Sequence, residues 1–85
     1  MKSKLLTQFI DHIESIEDRA ELESFLQAIL TPKELEELPK RLEIVKMLKR
    51  GLPHHSIAKK LGVGVATVTR GSKELRLGKF NDVNS

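Results

Sequence analysis

Residues 54–73, HHSIAKKLGVGVATVTRGSK, constrain the fold more than any other stretch of the chain, because several independent requirements of a helix-turn-helix fall there at one spacing. Ile57, Ala58 and Leu61 share the inner face of a short helix. Gly62 stands where that helix has to stop and the chain has to turn through a left-handed conformation, which a residue without Cβ adopts cheaply. Val63 then plugs the turn, Val68 anchors a second helix against the first, and Ala58 is small where two such helices cross. The spacing predicts a first helix from Pro53 to Leu61 and a second from Val65 to Arg76 or Leu77, with Gly64 at its N-cap and Gly78 as its terminator. Val65, Thr67, Val68 and Thr69 are β-branched and favour a strand by propensity alone. A lone strand would find no partner here, so the helix is the expectation.

The remaining pattern is also helical, which makes the expected fold class all-α. Leu5, Leu6, Phe9, Ile10 and Ile13 form an apolar stripe behind a candidate N-cap, Ser3. Leu22, Phe25, Leu26, Ile29 and Leu30 repeat that stripe, with Glu17, Asp18 and Glu21 in the early turns, where the helix dipole favours negative charge. Thr31-Pro32-Lys33-Glu34 is a start signal for a central helix: an N-cap threonine, proline at the first helical position, and a glutamate three residues after the cap. That helix is expected to turn Leu35, Leu38, Leu42, Val45 and Leu48 inward and to end at Arg50-Gly51. Pro39, well past its first turn, predicts a kink or a break into two pieces. The chain reads as one domain: residues 1–30 as dimerisation helices, 31–51 as the central helix, 53–77 as the helix-turn-helix and 78–85 as a polar tail expected to fray.

Eighty-five residues support only a modest core, for which a second subunit is the natural reinforcement. With no cysteine there is no disulfide, thiolate metal site or cysteine nucleophile. No apolar run approaches membrane-spanning length and no signal-peptide layout opens the chain, so a cytoplasmic protein is expected. The net charge of +3 is unevenly spread. Residues 1–38 carry four basic and nine acidic side chains, whereas residues 39–79 carry eleven basic side chains against Glu43 and Glu74. A basic block that coincides with a helix-turn-helix points to double-stranded DNA as the partner. His54 and His55 are adjacent and so do not share a helix face, and His12 has no evident companion, so no metal site is expected. The run Glu34 to Leu38 is a polar helix face. With no nucleophile–base constellation and no phosphate-cradling glycine loop, an enzyme is not expected.

If the motif docks in the usual way, Val65, Ala66 and Thr69 face the major groove. They are short and mostly apolar, suited to a thymine methyl and unable to make bidentate contacts to guanine. Reading would then draw on bridging water, DNA shape and outer contacts from His55 or Lys59. Gly64, Thr67, Lys59, Lys60, Lys73 and the amides that open the second helix would position phosphates.

Three segments resemble the Trp repressor family: LTPKELEELPKRLEIV at residues 30–45, Lys49-Arg50-Gly51, and GVGVATVTRGSKEL at residues 62–75, where the run ATVTRGS is the most specific. The similarity covers residues 20–76. It implies an intertwined, all-helical homodimer whose two motifs project onto successive major grooves. It also implies L-tryptophan, or a related amino acid, as a co-repressor held between the central and recognition helices, with its indole between two arginines. The matching positions are Arg41 and Arg70, and Leu30, Thr31 and Gly71 match residues that line the family's pocket. Glu74 stands where tryptophan-responsive members carry a small hydroxyl residue, and would either receive the ligand's ammonium or pair with Arg41 or Arg70. Pro39 replaces a small helical residue, the connection from Gly51 to Gly62 is one residue shorter, and the family's last helix has no counterpart. The resulting expectation is a DNA-binding repressor. The alternatives are a regulator of the same kind without a ligand, a helical protein-interaction module, and the DNA-binding piece of a larger machine.

Overall fold

The computed structural model describes residues 3–84; Met1, Lys2 and Ser85, at the ends of the expected N-terminal segment and tail, lie outside the described residues. Among the described residues there are five helices and no strand: α1 (Lys4–Ser15), α2 (Arg19–Ile29), α3 (Pro32–Lys49), α4 (His54–Leu61) and α5 (Val65–Arg76). The all-α class expected from the periodicity is therefore observed, including a helix through the β-branched run of α5. The chain divides into two compact units, Met1–Leu35 and Glu36–Ser85.

Capping chemistry sets the helix starts in the N-terminal unit. The Leu6 amide donates to Ser3 Oγ at 2.9 Å, and the Glu21 amide to the Asp18 carboxylate at 3.1 Å. At the start of α3 the Glu34 amide donates to Thr31 Oγ1 (3.1 Å) while the Thr31 amide donates to Glu34 Oε1 (2.8 Å), a reciprocal capping box. The bond from the Thr31 amide, reinforced by its hydroxyl, holds the Glu34 carboxyl below the usual carboxylate range. Phe9 of α1 meets Phe25 of α2 at 6.2 Å between ring centroids, and the His12 ring lies 4.7 Å from Phe25. His12, without a companion in the sequence pattern, thus belongs to an aromatic cluster. Neither α1 nor α2 buries a residue, and Leu5 is left 77% exposed, with Leu6, Ile10 and Ile29 also exposed.

In the second unit, α3, α4 and α5 enclose a core of Ile44, Met47, Ile57, Ala58 and Val68, with Leu48, Leu52, Leu61 and Val63 packed around it. Ile57, Ala58 and Val68 occupy the positions that the motif requires. The inward face of α3 differs from expectation. Val45 is buried as expected, but Leu38 and Leu42 are 43% and 46% exposed, and Ile44 and Met47 are buried. The helix is apolar on two stripes, and α4 and α5 cover the one through Ile44, Met47 and Leu48. Pro39 does not split the helix, for α3 runs unbroken from Pro32 to Lys49. Gly62 ends α4 at φ +66° and ψ +37°, and the Val63 amide returns to the Ala58 carbonyl at 3.1 Å. In the tail expected to fray, turns follow α5, and the Lys49 ammonium donates to the carbonyls of Phe80 and Val83. No described helix is long and apolar enough to cross a membrane.

Candidate nucleic-acid interface and adjoining cavity

At about 100° per residue, α5 divides its circumference into three stripes. Val68, fully buried, faces the core with half-buried Ser72 and Leu75 on either side. Val65, Ala66, Thr69 and Lys73 form a second, exposed stripe. Thr67, Arg70, Gly71 and Glu74 form the third, on a cavity shared with α3. The helix therefore turns one face to solvent and another to a concave site, while the core fixes the third.

The exposed stripe holds four of the nine residues that the sequence assigns to DNA, Val65, Ala66, Thr69 and Lys73, and His55, Lys59 and Lys60 lie on α4. Gly64 is the N-cap of α5 in an extended conformation, and no side chain caps the helix, so its opening amides are not engaged by a capping group. Val65, half exposed, is the first helical residue; Ala66, Thr69 and Lys73 follow on the same side. Lys59 and Lys60 stand exposed in the last turn of α4, where a cation also suits the helix dipole, and His55 is exposed at its start. Among the described residues, neither these lysines nor Lys73 forms an ion pair. Thr67, which the sequence assigns to phosphates, is exposed and also lines the cavity.

That cavity has a volume of about 410 Å³, within the range of small-molecule sites. Arg41, Ile44 and Val45 form its α3 side, Thr67, Arg70, Gly71 and Glu74 its α5 side, and Phe80 a further wall. Gly71 lets the two helices approach: a Cβ there would lie 3.2 Å from Ile44 Cγ2. The guanidinium groups of Arg41 and Arg70 make no ion pair among the described residues. Glu74 does not pair with either; its Oε2 lies 4.0 Å from Lys79 Nζ. Arg41, Arg70, Gly71 and Glu74 are thus brought together. Leu30 and Thr31 are not among the lining residues, and the Thr31 hydroxyl serves as the α3 cap. The sequence reading missed Ile44, Val45 and Phe80. The first two follow Arg41 at i+3 and i+4, and Phe80 is an aromatic residue stranded in a polar tail.

The family described as Trp repressor protein matches residues 4–82. A Trp operon repressor homolog of Vibrio vulnificus is 38% identical over 76 residues, covering 88% of this chain and 74% of the relative. One from Vibrio campbellii is 41% identical over 70 residues, 81% of this chain and 70% of the relative. An uncharacterized protein of Bacillus subtilis, YerC, is 32% identical over 78 residues, 92% and 75% of the respective chains. No solved structure matches. The match over nearly the whole chain, with five helices and the motif in place, decides the family: the chain belongs to the Trp repressor family of transcriptional regulators.

Proposed function

We propose that the protein is a homodimeric, sequence-specific DNA-binding repressor that takes L-tryptophan or a related amino acid as co-repressor and acts in the cytoplasm. The observation that carries this reading is the division of α5 into a solvent-facing stripe and a cavity-facing stripe on one rigid helix. On the outer side, Val65, Ala66 and Thr69 enter the major groove, and Lys59, Lys60, Lys73 and the uncapped amides of α5 meet phosphates. On the inner side, the guanidinium planes of Arg41 and Arg70 suit an aromatic ring and a carboxylate. A ligand wedged there sets the tilt of α5, and its differential affinity for the DNA-competent tilt is the switch. The exposed Leu5, Leu6 and Ile10 on α1 and Ile29 on α2 support a second copy of the chain as their cover.

The test is fluorescence anisotropy on operator fragments selected from genomic DNA with and without tryptophan. Tryptophan should tighten binding by about 5- to 150-fold, the usual span of such coupling. Arg41→Ala and Arg70→Ala should each remove that response, and full response in both would exclude the cavity as the ligand site. The log of the binding constant should fall steeply and linearly with the log of salt concentration. A second reading, a family member that represses without a ligand, is favoured by Glu74, whose carboxylate lines the cavity next to Lys79. It predicts equal DNA affinity with and without tryptophan.

A further inference from the structure

We propose that residues 77–84 form a strap, latched on Lys49, that closes one side of the cavity and presents Phe80 as the aromatic wall against which the ligand packs. The proposal rests on the reading of this cavity as an amino-acid site. Four features of the chain build the strap. After α5 the backbone reverses at Gly78, φ +83°, with the Gly78 amide on the Leu75 carbonyl and the Lys79 amide on the Glu74 carbonyl. The Val83 amide donates to the Phe80 carbonyl at 3.1 Å, closing a second turn. Both turn carbonyls, of Phe80 and Val83, then accept from the Lys49 ammonium, the Val83 contact at 2.5 Å. Finally, the Lys79 ammonium lies 4.0 Å from the Glu74 carboxylate, which itself lines the cavity.

The consequence is mechanical. Lys49 belongs to α3 and the strap continues from α5, so the latch spans the same two helices between which the cavity opens. Charge-assisted bonds from one ammonium to two carbonyls hold the turn in one geometry, and with it the half-buried Phe80 ring. The ring is specificity-determining: together with the guanidinium groups of Arg41 and Arg70 it favours a flat aromatic body carrying an anionic group over an aliphatic amino acid of similar bulk. Lys49 is a positioning residue that acts through the strap.

Calorimetric titration with L-tryptophan and with L-leucine, alongside hydrogen exchange of the Val83 and Lys79 amides, tests this on the full chain. Phe80→Ala and Lys49→Met should each weaken tryptophan binding by about tenfold or more and narrow the preference over leucine, as loss of an aromatic packing wall does. Lys49→Arg, which can still donate to both carbonyls, should restore it. Lys49→Met should also release the Val83 amide to fast exchange without ligand. Binding within about twofold of wild type in both weakened variants would overturn the strap and leave the amino-acid site standing. Absence of tryptophan binding in the wild-type chain would overturn the site itself and the ligand-packing role of Phe80 with it. Fast exchange of the Val83 amide in the wild-type chain would overturn the latch on its own.

Discussion

At the scale of single residues, the turn of the motif depends on the backbone conformation of Gly62. Its φ of +66° lies in the left-handed region, and a Cβ added there would meet no atom within 4 Å. The cost of a side chain is therefore backbone strain alone, unmixed with packing. Gly62→Ala should lose about 1 to 2 kcal/mol, the usual penalty of that conformation for an L-residue, read as a lower urea midpoint with an unchanged slope. An unchanged midpoint would show that the turn between α4 and α5 adopts another conformation in solution. Ile57 makes the complementary case, because it is fully buried between elements and contributes by packing. Ile57→Ala should cost about 2 to 5 kcal/mol, enough to unfold much of a domain this small. Circular dichroism at ambient temperature would register that loss.

Among the elements, α5 and α3 invite opposite manipulations at their N-termini. Gly64 caps α5 without a side-chain bond, at φ −74° and ψ 150°, a conformation open to any residue. Gly64→Ser supplies the missing acceptor and should raise stability by a few tenths of a kcal/mol. The same hydroxyl engages an amide that phosphate is proposed to use, so DNA affinity should fall while stability rises. A parallel rise in both would remove the phosphate role of the α5 amides. In α3 the cap already exists and titrates. The Glu34 carboxyl is depressed by its bonds to Thr31, so its contribution is complete above the ordinary value of 4.5 and disappears as pH falls through the lower value of the folded state. Glu34→Gln keeps an acceptor that does not titrate, so wild type should lose stability relative to it as pH drops below 4.5. A constant difference between the two urea midpoints across that range would show that Glu34 does not cap α3 in solution. These starts were legible in the sequence because capping is local: Thr31, Pro32 and Glu34 lie within one turn. Long-range facts were not. The periodicity grouped Leu38 and Leu42 into one stripe of α3 but could not say that α4 and α5 would cover the other. Nothing near Lys49 in the chain announces that its partners are the carbonyls of Phe80 and Val83, more than thirty residues on. The cavity was half legible, through Arg41, Arg70, Gly71 and Glu74, because those positions match a family motif; Phe80 reaches it only through the turns that follow α5.

Across the whole molecule, charge and burial are divided along the chain. The basic excess of residues 39–79 coincides with the motif, and the fully buried side chains, Ile44, Ile57 and Val68, all lie in the second unit. The first unit is acidic and, in a single chain, buries no residue of α1 or α2, although both helices carry a continuous apolar stripe. Helices this short are marginal in water by themselves and draw their stability from packing of that stripe. The proposed second copy would supply the packing, and mass action would then link folding to association. The unfolding temperature should rise with protein concentration across about a hundredfold range, and a monomer free in solution should be less helical than the dimer. Leu5→Glu and Ile10→Glu should lower the unfolding temperature at fixed concentration, shift sedimentation towards the monomer and weaken operator binding, because one motif then meets one half-site. Their sites lie far along the chain from α4 and α5, so the second unit's core should keep its own exchange protection. A concentration-independent transition, with both variants sedimenting like wild type, would mean that something other than a second copy covers α1 and α2.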